Sequence, residues 1–510
     1  MSNTKIFRNA FYLLTRTIVV LIISLFTVRE LLNVLGADSY GLFNLIFGIA
    51  VLFTFINGAL TVSVQRYLAV KIGENDNNGL RDVFLTSCII NIGMGFLIAL
   101  MMLVFKNIII YELLKVANSF YVAERLYILA IFNTFIIFLQ TPLIALINIY
   151  EKMKIIAYVG VIDVFLKLFS VYILSSLSGS VVINYGIFFT VITFFIFIVY
   201  FFYCFIKFRQ LFILNEFRLK SLKENLYSIS SFMGWTLIGN FSWMSKNQGI
   251  NVLLNMFFGL VANAAYAIYN NVFNSINNLL NSVTNAIKPQ IFISYSINDI
   301  SRFNNLILYG TRFFTLGVVV IVVPIIIFSN EILLFWLKNP PQYAVDFVSL
   351  GMLVLVIESL SIFLTIGVQA VGKIKIYQIV LGTLLLSNIP IIFLLFKLNF
   401  SVNSYMYVLM INALICFFSR LYFLRKYVFF DVVNFIKMCV LRLLVLLLIT
   451  LFFNKIIYEF LLYQKFNSLT YILIIPFLIL INLILVYFFG LDRKDKLDIN
   501  AIVSKFLARN

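Results

Sequence analysis

Histidine is absent from this 510-residue chain, and only 11% of its residues carry charge. Histidine is the commonest general base and metal ligand, so its absence argues against the usual acid–base enzymes and metal sites. A soluble protein of this length would carry about 25% charged residues. The cysteines all lie in or beside apolar runs, so no disulfide framework is implied (Cys88, Cys204, Cys416 and Cys439).

Enzyme motifs are missing as well. The chain has no glycine-rich phosphate loop and no acidic loop of the kind used for sugar or phosphate transfer. Its connections between apolar runs reach only about 20 residues, so no soluble domain is available to hold an active site. We therefore expect neither an enzyme, nor a cofactor, nor a bound metal, and we expect no cleavable signal peptide.

Hydrophobic residues make up 63% of the chain, and the mean hydropathy is +1.05. Continuous apolar runs of about 20 residues recur from end to end, and each is long enough to cross a bilayer as a helix. This pattern predicts an all-α, polytopic membrane protein with about fourteen transmembrane helices. The predicted spans are 11–33, 41–63, 83–105, 126–149, 156–177, 182–206, 228–257, 262–286, 306–328, 345–371, 376–396, 403–424, 435–453 and 468–490.

The net charge of +18 reflects topology rather than nucleic-acid binding, because the basic residues form short clusters between apolar runs. If the N-terminus is cytoplasmic, 28 of the 38 basic residues fall on the cytoplasmic side. Cytoplasmic loops of membrane proteins carry this excess of lysine and arginine. We therefore predict that both termini are cytoplasmic and that the tail 491–510 is an amphipathic segment on the membrane surface.

One stretch, "YNNVFNSINNLLNSVTNAIKP" at residues 269–289, is too polar to face lipid. At helical spacing five of its seven asparagines, those at 270, 274, 277, 281 and 285, form a single stripe. Unsatisfied amides are costly in hydrocarbon, so this stripe must face other helices or a water-filled cavity. A cavity wall and hydrogen bonding between helices are the two alternatives. The candidate cavity residues are Asn270, Asn274, Asn277 and Asn281.

Charged residues inside membrane spans tend to mark routes for substrates or ions. Lys246 lacks an acidic partner in its own helix and is a candidate anion ligand. Glu358 could take up a proton or cation, or pair with Lys246 or another base. Asp163 and Lys167 are spaced to neutralise each other, or to serve ion coupling. Three arginines are either interfacial anchors or, with Lys246, parts of a cationic route: Arg16, Arg29 and Arg312.

The two halves of the chain carry a weak repeat. Tyr40 and Asn44, in "SYGLFNL", align with Tyr266 and Asn270, in "AYAIYNN", at an offset of 226 residues. Six predicted spans separate the two segments, and an even number preserves orientation. The repeat therefore predicts two parallel halves related by an axis along the membrane normal.

These segments carry a family resemblance. "LLNVLGADSYGLFNLIFGIAVLFTFINGALTVSVQRYLA" (Leu31–Ala69) and "NAAYAIYNNVFNSINNLLNSVTNAIKPQI" (Asn263–Ile291) contain an LG-x-x-x-YG-like opening, the basic residue Arg66, and the pair Lys288-Pro289 that closes the eighth span. With them the chain resembles Wzx-type polysaccharide flippases of the multidrug/oligosaccharidyl-lipid/polysaccharide exporter superfamily.

The resemblance implies two pseudo-symmetric six-helix lobes, 1–206 and 226–425, joined by a linker 207–225. The helix pair 426–490 is additional, because O-antigen flippases usually have twelve helices. The implied function is the flipping of an undecaprenyl-pyrophosphate-linked oligosaccharide across a bacterial inner membrane by alternating access. Implied partners are this lipid-linked cargo, membrane lipid and a coupling proton or sodium ion, with the chain acting as a monomer.

Two alternatives remain at this stage. An ion-coupled multidrug antiporter of the same superfamily would need a carboxylate-centred cavity, for which Glu358 and Asp163 are the strong acidic candidates. A polysaccharide polymerase or ligase would be an enzyme, and such enzymes usually carry a large outer loop, which this chain lacks.

Overall fold

The computed structural model describes residues 3–113, 120–174, 178–213, 219–463, 468–492 and 495–496. All of its regular elements in these ranges are helical. The predicted tail 491–510 lies almost wholly outside them. The α-helices are α1 Asn3–Leu52, α2 Thr54–Gly73, α3 Asn77–Val104, α4 Phe120–Ile149, α5 Met153–Leu174, α6 Val181–Lys207, α7 Leu219–Ser296, α8 Ile300–Ile327, α9 Ser329–Leu337, α10 Ala344–Ser359, α11 Ile362–Val371, α12 Lys375–Lys397, α13 Ser404–Tyr427, α14 Val432–Phe435, α15 Arg442–Tyr463 and α16 Ser468–Leu485.

Within the described residues, twelve helices are long and apolar enough to cross a membrane. The predicted fourteen spans differ from this number for two reasons. One long helix, Ser221–Ser296, holds two predicted spans. The second predicted span begins with the short helical segment Ser39–Ile49 and continues, after an interruption at Phe53, into α2. The first segment is short, and α2 is not among the helices that are both long and apolar enough to cross a membrane.

Two glycines divide the long helices α1 and α7. Gly36 has φ 75° and ψ 164°, and Gly259 has φ 74° and ψ −169°. Only glycine adopts this region of backbone space without strain, because it has no Cβ. Both glycines lie in the short gaps between predicted spans, so hydropathy located these two interruptions correctly.

The chain forms two compact units: the first is Arg8–Asn240, and the second combines Phe241–Asn510 with Met1–Phe7. Their boundary lies inside α7 rather than in the predicted linker 207–225. Within the first unit, polar bonds join α4 to α6: the Asn133 amide donates to Thr193 Oγ1 at 2.9 Å, and the Gln140 amide donates to the Thr193 carbonyl at 3.0 Å. Such bonds between membrane helices contribute about 0.6–2 kcal/mol each.

The second unit is built around α8 and the pair α10–α11, which are its most buried long helices. Gly351 in α10 allows close packing against the second part of α7. A Cβ at this glycine would lie 2.1 Å from the Tyr269 ring, so any larger residue would push the two helices apart. This contact fixes the asparagine-rich part of α7 beside α10.

The C-terminal helices α15 and α16 pack on α8. Two apolar clusters form the contact: Leu316, Val320, Leu446 and Val486 in one, and Phe328, Leu461 and Leu478 in the other. Between them, Asn454 donates to the Asn482 side-chain oxygen at 2.8 Å. The additional helix pair is therefore joined to the second unit by apolar burial and by a buried amide pair.

One predicted boundary was wrong. The eighth span does not close at Lys288-Pro289, because α7 continues through Pro289 to Ser296. Proline is tolerated inside membrane helices where neighbouring groups satisfy the freed backbone. The tenth predicted span, 345–371, agrees with the candidate membrane span Ala344–Val371, which contains a break where α10 ends at Ser359 and α11 begins at Ile362.

Candidate functional site

A cavity of about 400 Å³ opens within the second unit, between α7, α10–α11, α12 and α13. Its volume is in the range of small-molecule binding sites. The wall mixes aromatic, amide, hydroxyl and charged side chains. It is lined by Trp243, Lys246, Phe273, Asn274, Asn277, Asn278, Asn281, Leu355, Glu358, Ser361, Ile362, Thr365, Leu385, Leu409, Asn412, Ala413, Cys416 and Arg420.

The asparagine stripe of α7 contributes three of its predicted members to this wall, Asn274, Asn277 and Asn281. Asn278 also lines the wall, whereas Asn270, four residues before Asn274, is not among the lining residues. The opposite face holds buried apolar side chains such as Ile276. The 3.6-residue period of the helix thus separates a hydrogen-bonding face from a packing face.

Lys246 and Glu358 lie beside each other on the cavity wall. The Lys246 Nζ and a Glu358 carboxylate oxygen are 3.9 Å apart, and their side chains are 8% and 32% exposed. This distance permits an ion pair but exceeds a direct charge-assisted hydrogen bond of about 2.7–2.9 Å. Of the alternatives for Glu358, the structure adopts the pairing with Lys246.

The break between α10 and α11 lies beside Glu358. The backbone tightens there, because the amide N–H of Ser361 donates to the Glu358 carbonyl at 2.9 Å, three residues back. The Ser361 hydroxyl is buried on the cavity wall and has no hydrogen-bond partner in the described structure. Interrupted helices in transporters are typical of binding sites, because they expose polar groups inside the membrane.

Arg420 is a cavity residue that the sequence reasoning missed. The charge count assigned it to a cytoplasmic cluster, yet it lines the cavity, and its Nε is buried without a hydrogen-bond partner in the described structure. A signal was present: Asn412, Cys416 and Arg420 follow one another at steps of four on α13, so they share one face. All three lie on the cavity wall.

The charged side chains on this wall are Lys246, Arg420 and Glu358, which together give one net positive charge. Lysine and arginine bind phosphate and carboxylate groups, and arginine can donate two parallel hydrogen bonds. The amides can donate to or accept from hydroxyl groups. The wall is therefore suited to an anionic ligand that also carries many hydroxyl groups.

Arg312, a predicted member of the cationic route, lies elsewhere in the second unit. Its side chain is 1% exposed, and its Nη2 lies 2.7 Å from an Asp495 carboxylate oxygen. Asp492 lies 3.3 Å from Nη1 and also pairs with Arg442 at 2.7 Å. Arg312 is therefore occupied by the acidic residues that follow α16 and is not on the cavity wall.

The remaining predicted cations belong to the first unit. Arg16 packs against Gly160, and its Nε is buried. Arg29 is exposed on α1. Neither lines the cavity of the second unit, so the structure does not join the four basic residues into one lining set. Their binding of cargo stays a prediction.

Asp163 and Lys167 form a direct ion pair of 2.9 Å within α5. The Lys167 Nζ also lies 4.4 Å from the centre of the Phe189 ring. Lys167 lines a second cavity of about 520 Å³, whose other walls are mainly apolar and aromatic, including Phe43 and Phe47. The pair thus neutralises itself within one helix, and its role in ion coupling stays a prediction.

Comparisons with known proteins agree with the helical architecture. Residues 6–173 match the family model described as MatE. A search of curated proteins finds no match. The described ranges contain no group of three or more cysteine, aspartate or glutamate residues that could hold a metal ion.

Solved structures of MATE transporters share the fold. A crystal structure of a MATE mutant aligns with a TM-score of 0.73 and 15% identity over 84% of this chain and 98% of its own. A MOP superfamily transporter from Pyrococcus furiosus, for which reverse polarity of the binding pocket suggests a different function, aligns with a TM-score of 0.70 and 14% identity over 84% and 96%. An outward-facing multidrug resistance MATE family transporter gives the same values.

These comparisons confirm the prediction of an all-α, multi-pass membrane fold. The matching family and the solved structures are transporters, in agreement with the prediction that the chain is not an enzyme. The comparisons do not distinguish Wzx-type polysaccharide flippases from other transporters with this fold, so that assignment stays a prediction.

Proposed function

We propose that this chain is a secondary transporter that works by alternating access and carries an anionic, hydroxyl-rich cargo, of which a lipid-linked oligosaccharide pyrophosphate is the model. One observation carries the proposal: two cationic side chains and a row of amides line one cavity, and Glu358 is the acid among its described lining residues. The fold shared with MATE transporters supports the transport part of the proposal.

The cavity chemistry suits the two polar parts of such a cargo. Arg420 and Lys246 would hold the pyrophosphate, because low local dielectric strengthens their attraction for an anion. Asn274, Asn277 and Asn281 would exchange hydrogen bonds with sugar hydroxyls in place of water. The polyprenyl tail would remain in lipid, so a cavity of about 400 Å³ need hold only the headgroup.

A multidrug antiporter is the second candidate, and the comparisons support it more directly, because one structure of the same fold is a multidrug resistance transporter. A cationic drug would need an available carboxylate. In this cavity Glu358 already lies beside Lys246, and Arg420 adds a second positive charge. Charge repulsion therefore argues against a cationic cargo at this site.

The flippase and the multidrug antiporter predict different phenotypes for cells that lack the gene. Loss of a flippase should cause lipid-linked oligosaccharide to accumulate in the inner leaflet. The wild-type gene should reverse this accumulation, whereas Lys246→Met and Arg420→Met should not. Lys455→Met is the matched control, because Lys455 is 69% exposed and pairs only loosely with Glu459 at 3.8 Å.

Drug sensitivity gives the opposing readout. If the deletion raises sensitivity to cationic dyes and leaves lipid-linked oligosaccharide unchanged, the chain is a multidrug transporter and the proposal is wrong. If both cavity variants complement as well as Lys455→Met does, the cationic wall does not bind the cargo.

A further inference from the structure

The break between α10 and α11 holds polar groups that the packing of the cavity wall leaves without partners. We propose that the Ser361 hydroxyl, the first turn of α11 and the Arg420 guanidinium form a subsite for a phosphoryl group. This subsite is separate from the Lys246–Glu358 pair. The inference rests on the proposed anionic cargo and assigns the place where one of its phosphates binds.

The break leaves a backbone donor at the cavity wall. In a continuous α-helix the N–H of Ile362 would donate to the Glu358 carbonyl, four residues back. Here that carbonyl accepts the N–H of Ser361 instead, at 2.9 Å. Ile362 is the first residue of α11 and lines the cavity. The first N–H groups of a helix lack intrahelical partners and bind phosphate groups readily.

The side chain of Ser361 is independent evidence for a ligand at this helix start. It is 2% exposed and lies on the cavity wall, and its hydroxyl has no hydrogen-bond partner in the described structure. Ser361 occupies the N-cap position of α11, yet it makes no capping hydrogen bond. A buried hydroxyl without a partner is destabilising, and an oxygen of a bound phosphate would accept its hydrogen.

Arg420 of α13 is connected to the same end of α11. Its guanidinium lies beside the buried Tyr377, and the Tyr377 hydroxyl is 3.4 Å from Thr365 Oγ1. Thr365 follows Ser361 by one turn and donates from its hydroxyl to the Ser361 carbonyl at 3.0 Å. The buried Arg420 Nε has no hydrogen-bond partner in the described structure. Arginine presents its donors in a planar fork that matches two oxygens of a phosphate.

The acid of the cavity does not neutralise this subsite. A Glu358 carboxylate oxygen lies 3.9 Å from the Lys246 Nζ, and among the described residues Arg420 forms no ion pair. A cation, a hydroxyl and a helix start that all lack anionic partners therefore remain on one wall. Together they supply the several donors that a phosphoryl group requires.

The test uses the purified full chain in a polyoxyethylene detergent, which contains neither phosphate nor sugar. Calorimetric titrations compare uridine diphosphate glucose, a soluble pyrophosphate, with farnesyl diphosphate, a lipid-borne one. Glucuronate is the phosphate-free sugar acid, and we expect it to bind about tenfold more weakly than either, because it has fewer oxygens to accept the donors of the subsite. Tighter binding of farnesyl diphosphate would identify a lipid-linked source of the phosphate, and the reverse order a sugar nucleotide.

Substitutions separate phosphate binding from a structural role. Ser361→Ala should weaken both pyrophosphates by about three- to tenfold without lowering the Tm of the free protein, because the lost hydroxyl has no partner there. Arg420→Lys keeps the charge but loses the fork, and it should weaken both by about tenfold.

The matched control is Ser359→Ala, at the other serine of the break. Ser359 is buried and does not line the cavity, and its hydroxyl already donates to the Val356 carbonyl at 2.6 Å. This variant should bind both pyrophosphates as the wild type does.

Two results would overturn the inference in distinguishable ways. If glucuronate binds as tightly as the pyrophosphates, or if Ser361→Ala and Arg420→Lys bind them unchanged, the subsite is wrong while the anionic cargo stands. If the wild type binds a cationic dye such as ethidium but neither pyrophosphate, the proposed function fails and the subsite fails with it.

Discussion

Replacement of Asp495 by asparagine should strongly destabilise the second unit. Asp495 is the closest anion to Arg312, at 2.7 Å, and the two side chains are 6% and 1% exposed. Removing one partner of such a buried ion pair costs about 3–5 kcal/mol, because an uncompensated charge remains buried. Asp492 stays 3.3 Å from the arginine, so we expect a value at the lower end, about 3 kcal/mol.

The measurement is the Tm of the purified full chain in detergent, followed by intrinsic fluorescence. At about 2 °C per kcal/mol for a cooperative unit of this size, Asp495→Asn should lower the Tm by roughly 6 °C. Asp492→Asn is the matched control and should have a smaller effect, since Asp492 is 43% exposed. The double variant Arg312→Met/Asp495→Leu should regain much of the loss, because no buried charge remains unpaired.

The pH dependence follows from Asp492. The hydrogen bond donated by Arg442, aided by the charge of Arg312, lowers the pKa of this carboxyl below its ordinary value. A lowered folded-state pKa stabilises the fold at neutral pH, and this contribution is lost as pH falls through the lowered value. The difference in Tm between the wild type and Asp492→Asn should therefore be constant from pH 7 to 5 and become smaller below about pH 4.

A Tm for Asp495→Asn within 1 °C of the wild type would refute this reasoning. So would a larger effect from Asp492→Asn than from Asp495→Asn. The first result would mean that Arg312 does not depend on Asp495, and its predicted place in a cationic route would regain support. The second would mean that Asp492, rather than Asp495, is the main acidic partner of Arg312.

Two further predictions concern α7. Gly259→Ala should lower the Tm, because alanine at a φ of 74° costs about 1–2 kcal/mol. The control Gly234→Ala should leave the Tm unchanged, because Gly234 lies in a helical part of α7 with open space around it. Equal effects of the two substitutions would show that the backbone at Gly259 does not require glycine. In a background without native cysteines, a cysteine at Asn277 should react with a small water-soluble thiol reagent and one at Ile276 should not, and equal reaction at both would leave the asparagines as packing contacts between helices.

The sequence by itself determined the membrane fold and most helix positions. Apolar runs of about 20 residues leave few structures that satisfy the backbone in lipid, so hydropathy alone indicates helices. The gaps that hold Gly36 and Gly259 were visible for the same reason. The asparagine stripe was also readable, because a period of 3.6 residues places Asn274, Asn277 and Asn281 on one face whatever surrounds the helix.

Tertiary structure alone decided which charges meet. Arg312 and Asp495 are 183 positions apart in the sequence, and Lys246 and Glu358 are 112 apart. Hydropathy and periodicity describe each helix separately and carry no information about its neighbours. The distribution of charge along the sequence places Arg420 among the cytoplasmic basic residues, whereas in the packed structure its face of α13 lines the cavity. An intramembrane charge is an anchor, a structural partner or a ligand according to the helix opposite it, because electrostatic energy depends on distance in space and on burial.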